Sequence, residues 1–258
     1  MTSHANGSIH MIDMVFPGDA NHHGTLFGGV ALARMDKIAF LAASRHARAP
    51  IVTASSEKID FAAPAKVGEM IDASARIVRI GRTSLDVDVE LSAEDPVQGE
   101  PRLCTSGRFT MVAVKGPETH LPLPPLGEPL RGSESRVLQM VDMVFPPQTN
   151  HYGTLYGGDA LKMMGKAAFI AATRHTRAVM VMAASDRIDF VSPIHEGEMI
   201  ELNARVQMVG RSSVRVSVAL WAEDLLSGER RHAATALFTM VGVDSNGRPK
   251  PLNPEIHG

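Results

Sequence analysis

One carboxylate in the sequence lies within an apolar segment, where a charged side chain is unusual. Asp36 lies in the apolar run that follows Gly28 and Gly29, and this run predicts a single helix. Its neighbours three and four positions away along that helix, Leu32, Ala33, Ala39 and Phe40, are all small or apolar, as is Gly29 two turns earlier. Arg34 precedes Asp36 by two residues, and at about 100° per residue its side chain points about 200° away from that of Asp36 around the helix axis. A buried carboxylate without a partner costs on the order of several kcal/mol, so we expect Asp36 to have a partner or a chemical role.

Helix geometry alone leaves the role of Asp36 open. The carboxylate could cap a nearby backbone N–H, or it could pair with Lys37 at a solvent edge. In apolar surroundings, however, desolvation raises the basicity of a carboxylate, which suits it to activating a water molecule. The helix is too apolar on all sides to lie on a surface, and we expect other structure to surround it.

An asparagine and a glycine pair precede the helix and are repeated later in the chain. The segment NHHGTLFGG begins at Asn21, and NHYGTLYGG begins at Asn150. An asparagine amide can orient a water or hold a carbonyl. Glycines at a helix start allow close approach to N–H groups that the helix itself leaves unbonded, and such donors can stabilise an oxyanion.

These segments belong to a duplication that covers most of the chain. An offset of 129 residues pairs Met11 with Met140 and Val114 with Val243, and roughly half of the positions between them are identical. Repeats of this length are two domains of one fold rather than solenoid units. We predict a first domain at 8–115, a linker rich in proline and glycine at 116–136, and a second domain at 137–248.

Within one copy the pattern predicts a strand, the helix and then several strands. The predicted strands are Met11–Phe16, Ile51–Phe61, Met70–Val78, a strand around Leu85–Ser92 and Arg108–Val114. Apolar and polar residues alternate in the fourth of these, which is typical of a half-buried antiparallel strand. The expected fold class is α+β, with a curved antiparallel sheet wrapped round a central helix in each copy.

Composition excludes several classes of function. The net charge is −2, the pI is near 6.6 and 44% of the 258 residues are hydrophobic, so neither a nucleic acid nor a membrane is expected as the main partner. The single cysteine, Cys104, is interpreted as a small core residue. The first residues lack an apolar signal core, and we expect a cytoplasmic location. His22 and His23 lack a third ligand at metal spacing, so no metal site is predicted.

The combined motifs resemble a known family. An N-x-x-G-T-x-F/Y-G-G segment, an acid in a Met-Asp pair and a later Gly-Arg-Thr-Ser hairpin are similar to the hotdog-fold acyl-CoA thioesterases. Both copies match, so the whole chain resembles the tandem, double-hotdog members. The resemblance implies hydrolysis of acyl-CoA to a free fatty acid and CoA, with no cofactor because CoA is part of the substrate. It also implies a homo-oligomer, a ring of three chains.

The resemblance further implies where the site lies. In this family it is formed between two hotdog units, with the asparagine and the acid from opposite units. Transferred to this sequence, the catalytic set is Asp36, Asn150 and the backbone of Gly157. Residues expected to bind the CoA and thioester parts of the substrate are Ser55, Arg82, Thr83, Ser84, His151, Arg211, Ser212 and Ser213. The hairpin residues among them could equally form ordinary solvated turns.

The two copies differ at the proposed acid. Gly165 occupies the position that corresponds to Asp36, so only one of two equivalent clefts contains the carboxylate. We expect one active cleft per chain and a vestigial second cleft at Asn21, Gly28 and Gly165. An alternative is that Asp159 serves the second cleft, although it lies on a different turn.

Two other functions fit the sequence less well than hydrolysis. A non-catalytic acyl-CoA binding or sensing module would have no need of a carboxylate near a thioester. A hotdog dehydratase would need a histidine paired with an acid in its own motif, which the sequence lacks. The motifs of serine hydrolases, zinc hydrolases and nucleotide-binding proteins are also missing.

Overall fold

The computed structural model describes residues 8–114, 122–126, 137–186 and 188–252. The chain forms two compact units. Unit 1 comprises Met1–Glu94, Pro101–Ser133 and Asp224–Glu229, and unit 2 comprises Asp95–Glu100, Glu134–Glu223 and Arg230–Gly258. The predicted linker at 116–136 lies outside the described residues except for 122–126.

Each unit contains one long helix and one antiparallel sheet. The elements of the first copy are β1 (Ile9–Met14), α1 (Gly28–Ala47), β2 (Ile51–Ser56), β3 (Asp60–Phe61), β4 (Met70–Ile80), β5 (Ser84–Glu94) and β6 (Pro101–Ala113). Those of the second are β7 (Val137–Met143), α2 (Gly157–Thr176), β8 (Met180–Ser185), β9 (Asp189–Phe190), β10 (Met199–Val209), β11 (Ser213–Glu223) and β12 (Arg230–Gly242). The strand order is β1-β4-β5-β6-β2 with β3 beside β6, and the second sheet repeats it as β7-β10-β11-β12-β8 with β9 beside β12. The predicted α+β class is confirmed.

Helix α1 packs against the centre of its sheet, chiefly β4 and β5. Met35, Ile38 and Leu41 recur at helical spacing and are completely buried. The helix ends at Ala47. The next residue, Arg48, still donates its N–H to the Ser44 carbonyl, and its left-handed backbone (φ 50°) turns the chain out of the helix. Neither helix in the described part of the chain is apolar enough over sufficient length to cross a membrane.

Two strand predictions differ from the structure by more than a shift of about two residues at an end. The run predicted as one strand at Ile51–Phe61 is divided into β2 and β3, which both pair with β6. The last strand begins at Pro101 instead of Arg108. Its first half has a polar, glycine-containing sequence without clear alternation, and it is held in the sheet by pairing with β5 on one side and β3 on the other.

Candidate active site

The carboxylate of Asp36 faces a hydroxyl group of the neighbouring sheet. Asp36 lies on α1 and is half-buried, and Thr53 lies on β2. Thr53 Oγ1 donates a hydrogen bond to Asp36 Oδ1 at 2.7 Å. The carboxylate therefore has a partner that fixes one of its oxygens, while the other oxygen remains to accept a proton or to attack a substrate. Arg34 turns the opposite way, as predicted, and its guanidinium pairs with Asp13 at 2.7 Å.

The hydroxyl within hydrogen-bonding distance of the Asp36 carboxylate belongs to Thr53. Ser55, which the sequence predicts as a substrate-binding residue, does not make this bond. Ser55 is exposed and pairs with Thr110 of β6 across an irregularity between Thr53 and Ser55. A comparison of the two copies contained a signal for Thr53, because the threonine and the aspartate are replaced together.

The second copy carries an apolar pair in place of the Asp36 and Thr53 pair. Gly165 lies on α2, and Met182 on β8 corresponds to Thr53. A Cβ atom added to Gly165 would lie 2.7 Å from the Met182 methyl carbon, which is too close unless that side chain moves. The methionine therefore occupies the space next to Gly165 into which an acidic side chain would extend, and the second copy lacks both polar groups at these positions.

Asn150 closes a tight loop in front of helix α2. Its Oδ1 accepts hydrogen bonds from the Tyr152 and Thr154 N–H groups at 2.9 and 3.3 Å, and its Nδ2 donates to Thr154 Oγ1 at 2.9 Å. These bonds use one of the two hydrogens on Nδ2. The loop thus fixes the amide in place and leaves a second donor hydrogen. The Thr154 hydroxyl is used within this loop, and no side chain caps helix α2.

The Asn21 loop of the first copy has the same construction. Asn21 Oδ1 accepts from the His23 and Thr25 N–H groups at 2.9 and 3.3 Å, and Nδ2 donates to Thr25 Oγ1 at 3.0 Å. The two asparagines therefore do not differ in their local geometry.

The helix N-termini do differ in their surroundings. An added Cβ on Gly157 would have no heavy atom within 4 Å, so the start of α2 is open to approach. At Gly28 the same atom would lie 3.6 Å from the ring of Phe61. No side chain caps either helix, so the N–H groups of the first turn of α2 have no side-chain acceptor. These N–H groups, at Gly157, are the predicted oxyanion donors.

The other predicted binding residues lie at loop and hairpin positions. Arg82 and Arg211 are exposed at the β4–β5 and β10–β11 turns, followed by Thr83 and Ser84 in one hairpin and by Ser212 and Ser213 in the other. Each hairpin is closed by a hydrogen bond from a glycine N–H to a serine carbonyl, from Gly81 to Ser84 and from Gly210 to Ser213. The other carbonyls accept hydrogen bonds from more distant segments: Ala113 to Thr83, Leu123 to Arg82, Gly242 to Ser212 and Leu252 to Arg211. The backbones are thus fixed, and the arginine side chains project outward.

The histidines and the cysteine are less suited to chemistry. His151 is exposed and lies against Tyr152 with ring centroids 3.9 Å apart, and His22 and His23 form a similar pair. Cys104 is buried, and burial raises the pKa of its thiol, which makes it a poor nucleophile. Within the residues that the structure describes, no group of three histidine, cysteine or acidic side chains could hold a metal ion.

Comparison with known proteins gives consistent results over both copies. The family model described as the thioesterase superfamily matches residues 23–100 and 152–229. An acyl-CoA hydrolase structure from Agrobacterium tumefaciens is 47% identical, with a TM-score of 0.88 over 96% of this chain and 100% of that one. The cytosolic acyl coenzyme A thioester hydrolase of Rattus norvegicus is 24% identical over 92% of this chain and 74% of its own length. An uncharacterized acyl-CoA thioester hydrolase of Bacillus subtilis is 41% identical over 46% of this chain and 69% of its own length.

Proposed function

The chain belongs to the thioesterase superfamily, and on that premise we propose that it hydrolyses acyl-CoA to a free fatty acid and CoA. The family and the tandem hotdog fold predicted from the sequence are thereby confirmed. The observation that carries the proposed activity is the Asp36 carboxylate held by the Thr53 hydroxyl at 2.7 Å. The names of the similar proteins from Agrobacterium, rat and Bacillus support acyl-CoA as the substrate.

We propose that Asp36 acts with Asn150 and the Gly157 N–H. As a general base, Asp36 takes a proton from a water whose oxygen attacks the thioester carbon. As a nucleophile, its free oxygen attacks that carbon directly and water then cleaves the resulting anhydride. In both routes the carbonyl oxygen gains negative charge, which backbone N–H groups and the remaining Asn150 N–H are suited to stabilise. The C–S bond breaks when this tetrahedral intermediate collapses, and the CoA thiolate takes up a proton. In the nucleophilic route this collapse forms the anhydride, so CoA leaves before water cleaves it.

A panel of short-, medium- and long-chain acyl-CoAs tests the proposed function. Purified protein is expected to release free CoA thiol from one or more of them, measured with a thiol-reactive dye, and the panel also gives the chain-length preference. Binding of acyl-CoA without any release of thiol would contradict hydrolysis and would support the alternative of a binding or sensing module. The predicted binding residues Arg82 and Arg211 remain candidates for the CoA phosphates, because guanidinium groups bind phosphate well.

Thr53 should contribute to turnover through its hydrogen bond to Asp36. Thr53→Val keeps the shape of the side chain but removes the hydroxyl, and we expect kcat to fall about 5-fold, the effect of losing roughly 1 kcal/mol of hydrogen-bond energy. Thr53→Ser keeps the donor and should retain most of the turnover. Steady-state kinetics of both variants test this role by measuring kcat. Equal kcat values for the serine and valine variants would contradict it.

We also propose a cytoplasmic location and an assembly of three chains. The cytosolic name of the rat relative supports the location, and the resemblance to double-hotdog thioesterases supports the assembly. Light scattering of the native protein is expected to give about three times the chain mass of 27.7 kDa. A mass equal to one chain at dilute concentration would contradict the trimer.

A further inference from the structure

The Asn150 loop is held from behind by a second loop, at residues 193–198. The Leu155 N–H donates to the Ile194 carbonyl at 2.7 Å, and the Glu196 N–H donates to the Gly153 carbonyl at 3.1 Å. Thr154 and His195 also form an antiparallel bridge. The residues that fix the Asn150 side chain are therefore aligned by backbone bonds to the second loop, and a shift of that loop would move the asparagine amide.

A buried ion pair ties the second loop to the sheet. Glu198 is only 6% exposed, and both of its carboxylate oxygens accept hydrogen bonds from Arg231 of β12 at 2.5 Å. Glu198 Oε2 also accepts the His195 N–H at 2.6 Å, and Arg231 Nη2 donates to the Pro193 carbonyl at 2.7 Å. One arginine thus spans the loop from Pro193 to Glu198. A planar guanidinium can make these bonds together, which a lysine ammonium cannot reproduce.

The first copy contains the same construction around the Asn21 loop. Arg102 of β6 binds the Glu69 carboxylate and the Pro64 carbonyl, and Glu69 accepts the Lys66 N–H at 2.7 Å. Burial tends to raise the pKa of Glu69, but the hydrogen bonds from Arg102 and from the Lys66 N–H lower it below its usual value. The carboxylate is therefore ionised at neutral pH and bound to Arg102. The two ion pairs have the same local role in two loops of the same shape.

We propose that Glu198 and Arg231 are positioning residues for Asn150. By holding the 193–198 loop they keep the Asn150 amide in its reactive position and so raise kcat. This inference rests on the proposed function and on the assignment of Asn150, and not of Asn21, to the active cleft. The equivalent pair, Glu69 and Arg102, then supports a loop outside the reaction. The duplication therefore supplies a control with matched chemistry, burial and structural role.

The first test compares Arg231→Lys with Arg102→Lys. Each variant weakens an ion pair with a buried glutamate and a hydrogen bond to a proline carbonyl, so both should lower the melting temperature. Only Arg231→Lys is expected to lower kcat, by about 5- to 10-fold with little change in KM, because small displacements of a reacting group reduce turnover steeply. Glu198→Gln and Glu69→Gln form a second matched pair that keeps an acceptor for the loop N–H. Equal losses in both units, or loss only in the unit 1 variants, would overturn the proposal.

A double-mutant cycle separates positioning from general destabilisation. If Arg231 acts through Asn150, Arg231→Lys should reduce kcat by no more than about 2-fold in a chain that already carries Asn150→Ala, since the two effects share one route. A full further loss in that background would show that Arg231 acts in another way.

Hydrogen exchange tests the same inference without activity. Arg231→Lys is expected to accelerate amide exchange at residues 150–155, and Arg102→Lys should accelerate it at residues 21–26. Unchanged exchange at 150–155 would overturn the positioning role even in an active enzyme. If the wild-type protein hydrolyses no acyl-CoA, the proposed function fails, and the exchange result still decides whether the ion pair holds the loop.

Discussion

Replacing Asp36 with asparagine is expected to lower kcat for acyl-CoA hydrolysis by at least ~10²-fold, the usual contribution of a general base. Asparagine has nearly the same size and can still accept the Thr53 hydrogen bond, which in the wild type spans 2.7 Å to Oδ1. It cannot take a proton from water, nor can it attack the thioester as a carboxylate does. The loss should therefore come from chemistry and leave the fold intact.

The measurement compares kcat, affinity for CoA and the melting temperature in wild type and Asp36→Asn. We expect only kcat to change markedly, because a group that acts in the transition state contributes little to ground-state binding. Asp159→Asn is the control, since Asp159 is the acid near the start of the second helix. Full activity of Asp36→Asn together with loss of activity in Asp159→Asn would reverse the assignment of the acid.

Activity should return to an Asp36→Asn chain when the second copy receives both missing groups. Gly165→Asp with Met182→Thr would recreate on α2 and β8 the pair that α1 and β2 carry. We expect kcat about 20-fold or more above the Asp36→Asn background, if the Asn21 loop, which has the same hydrogen bonds as the Asn150 loop, can serve it. The helix should tolerate the change, because glycine is a poorer helix former than aspartate.

Gly165→Asp alone should restore much less. The new Cβ would meet the Met182 methyl at 2.7 Å, and the displaced methionine would leave the carboxylate beside an apolar side chain without a hydroxyl donor. Met182→Thr alone should have no effect on the background. Equal recovery by the single and the double variant would show that the threonine is dispensable. A folded double variant as inactive as its parent would show that the Asn21 side of the second cleft cannot support the reaction, and the Phe61 ring near Gly28 would be the next residue to change.

The sequence by itself determined the repeat, the fold class and the family. The duplication is visible because the two copies align without a gap, and the helix is visible because Met35, Ile38 and Leu41 recur at helical spacing. The sequence also shows the isolated acid at Asp36 and its replacement by Gly165 in the second copy. Identifying them requires only the position of Asp36 in the helix and an alignment of the two copies. Each of these features depends on residues that are close in sequence or related by one fixed offset.

The tertiary structure alone decided which groups meet. Strand periodicity places Thr53 and Ser55 on the same face, so it does not predict which hydroxyl bonds to Asp36. The irregular pairing of β2 with β6, together with the packing of both strands against α1, places Thr53 there. The Glu198–Arg231 ion pair joins residues 33 positions apart, and no local pattern marks it. Such contacts depend on strand register and on how a helix lies on a sheet, which are set by the summed packing of the core and not by any short segment.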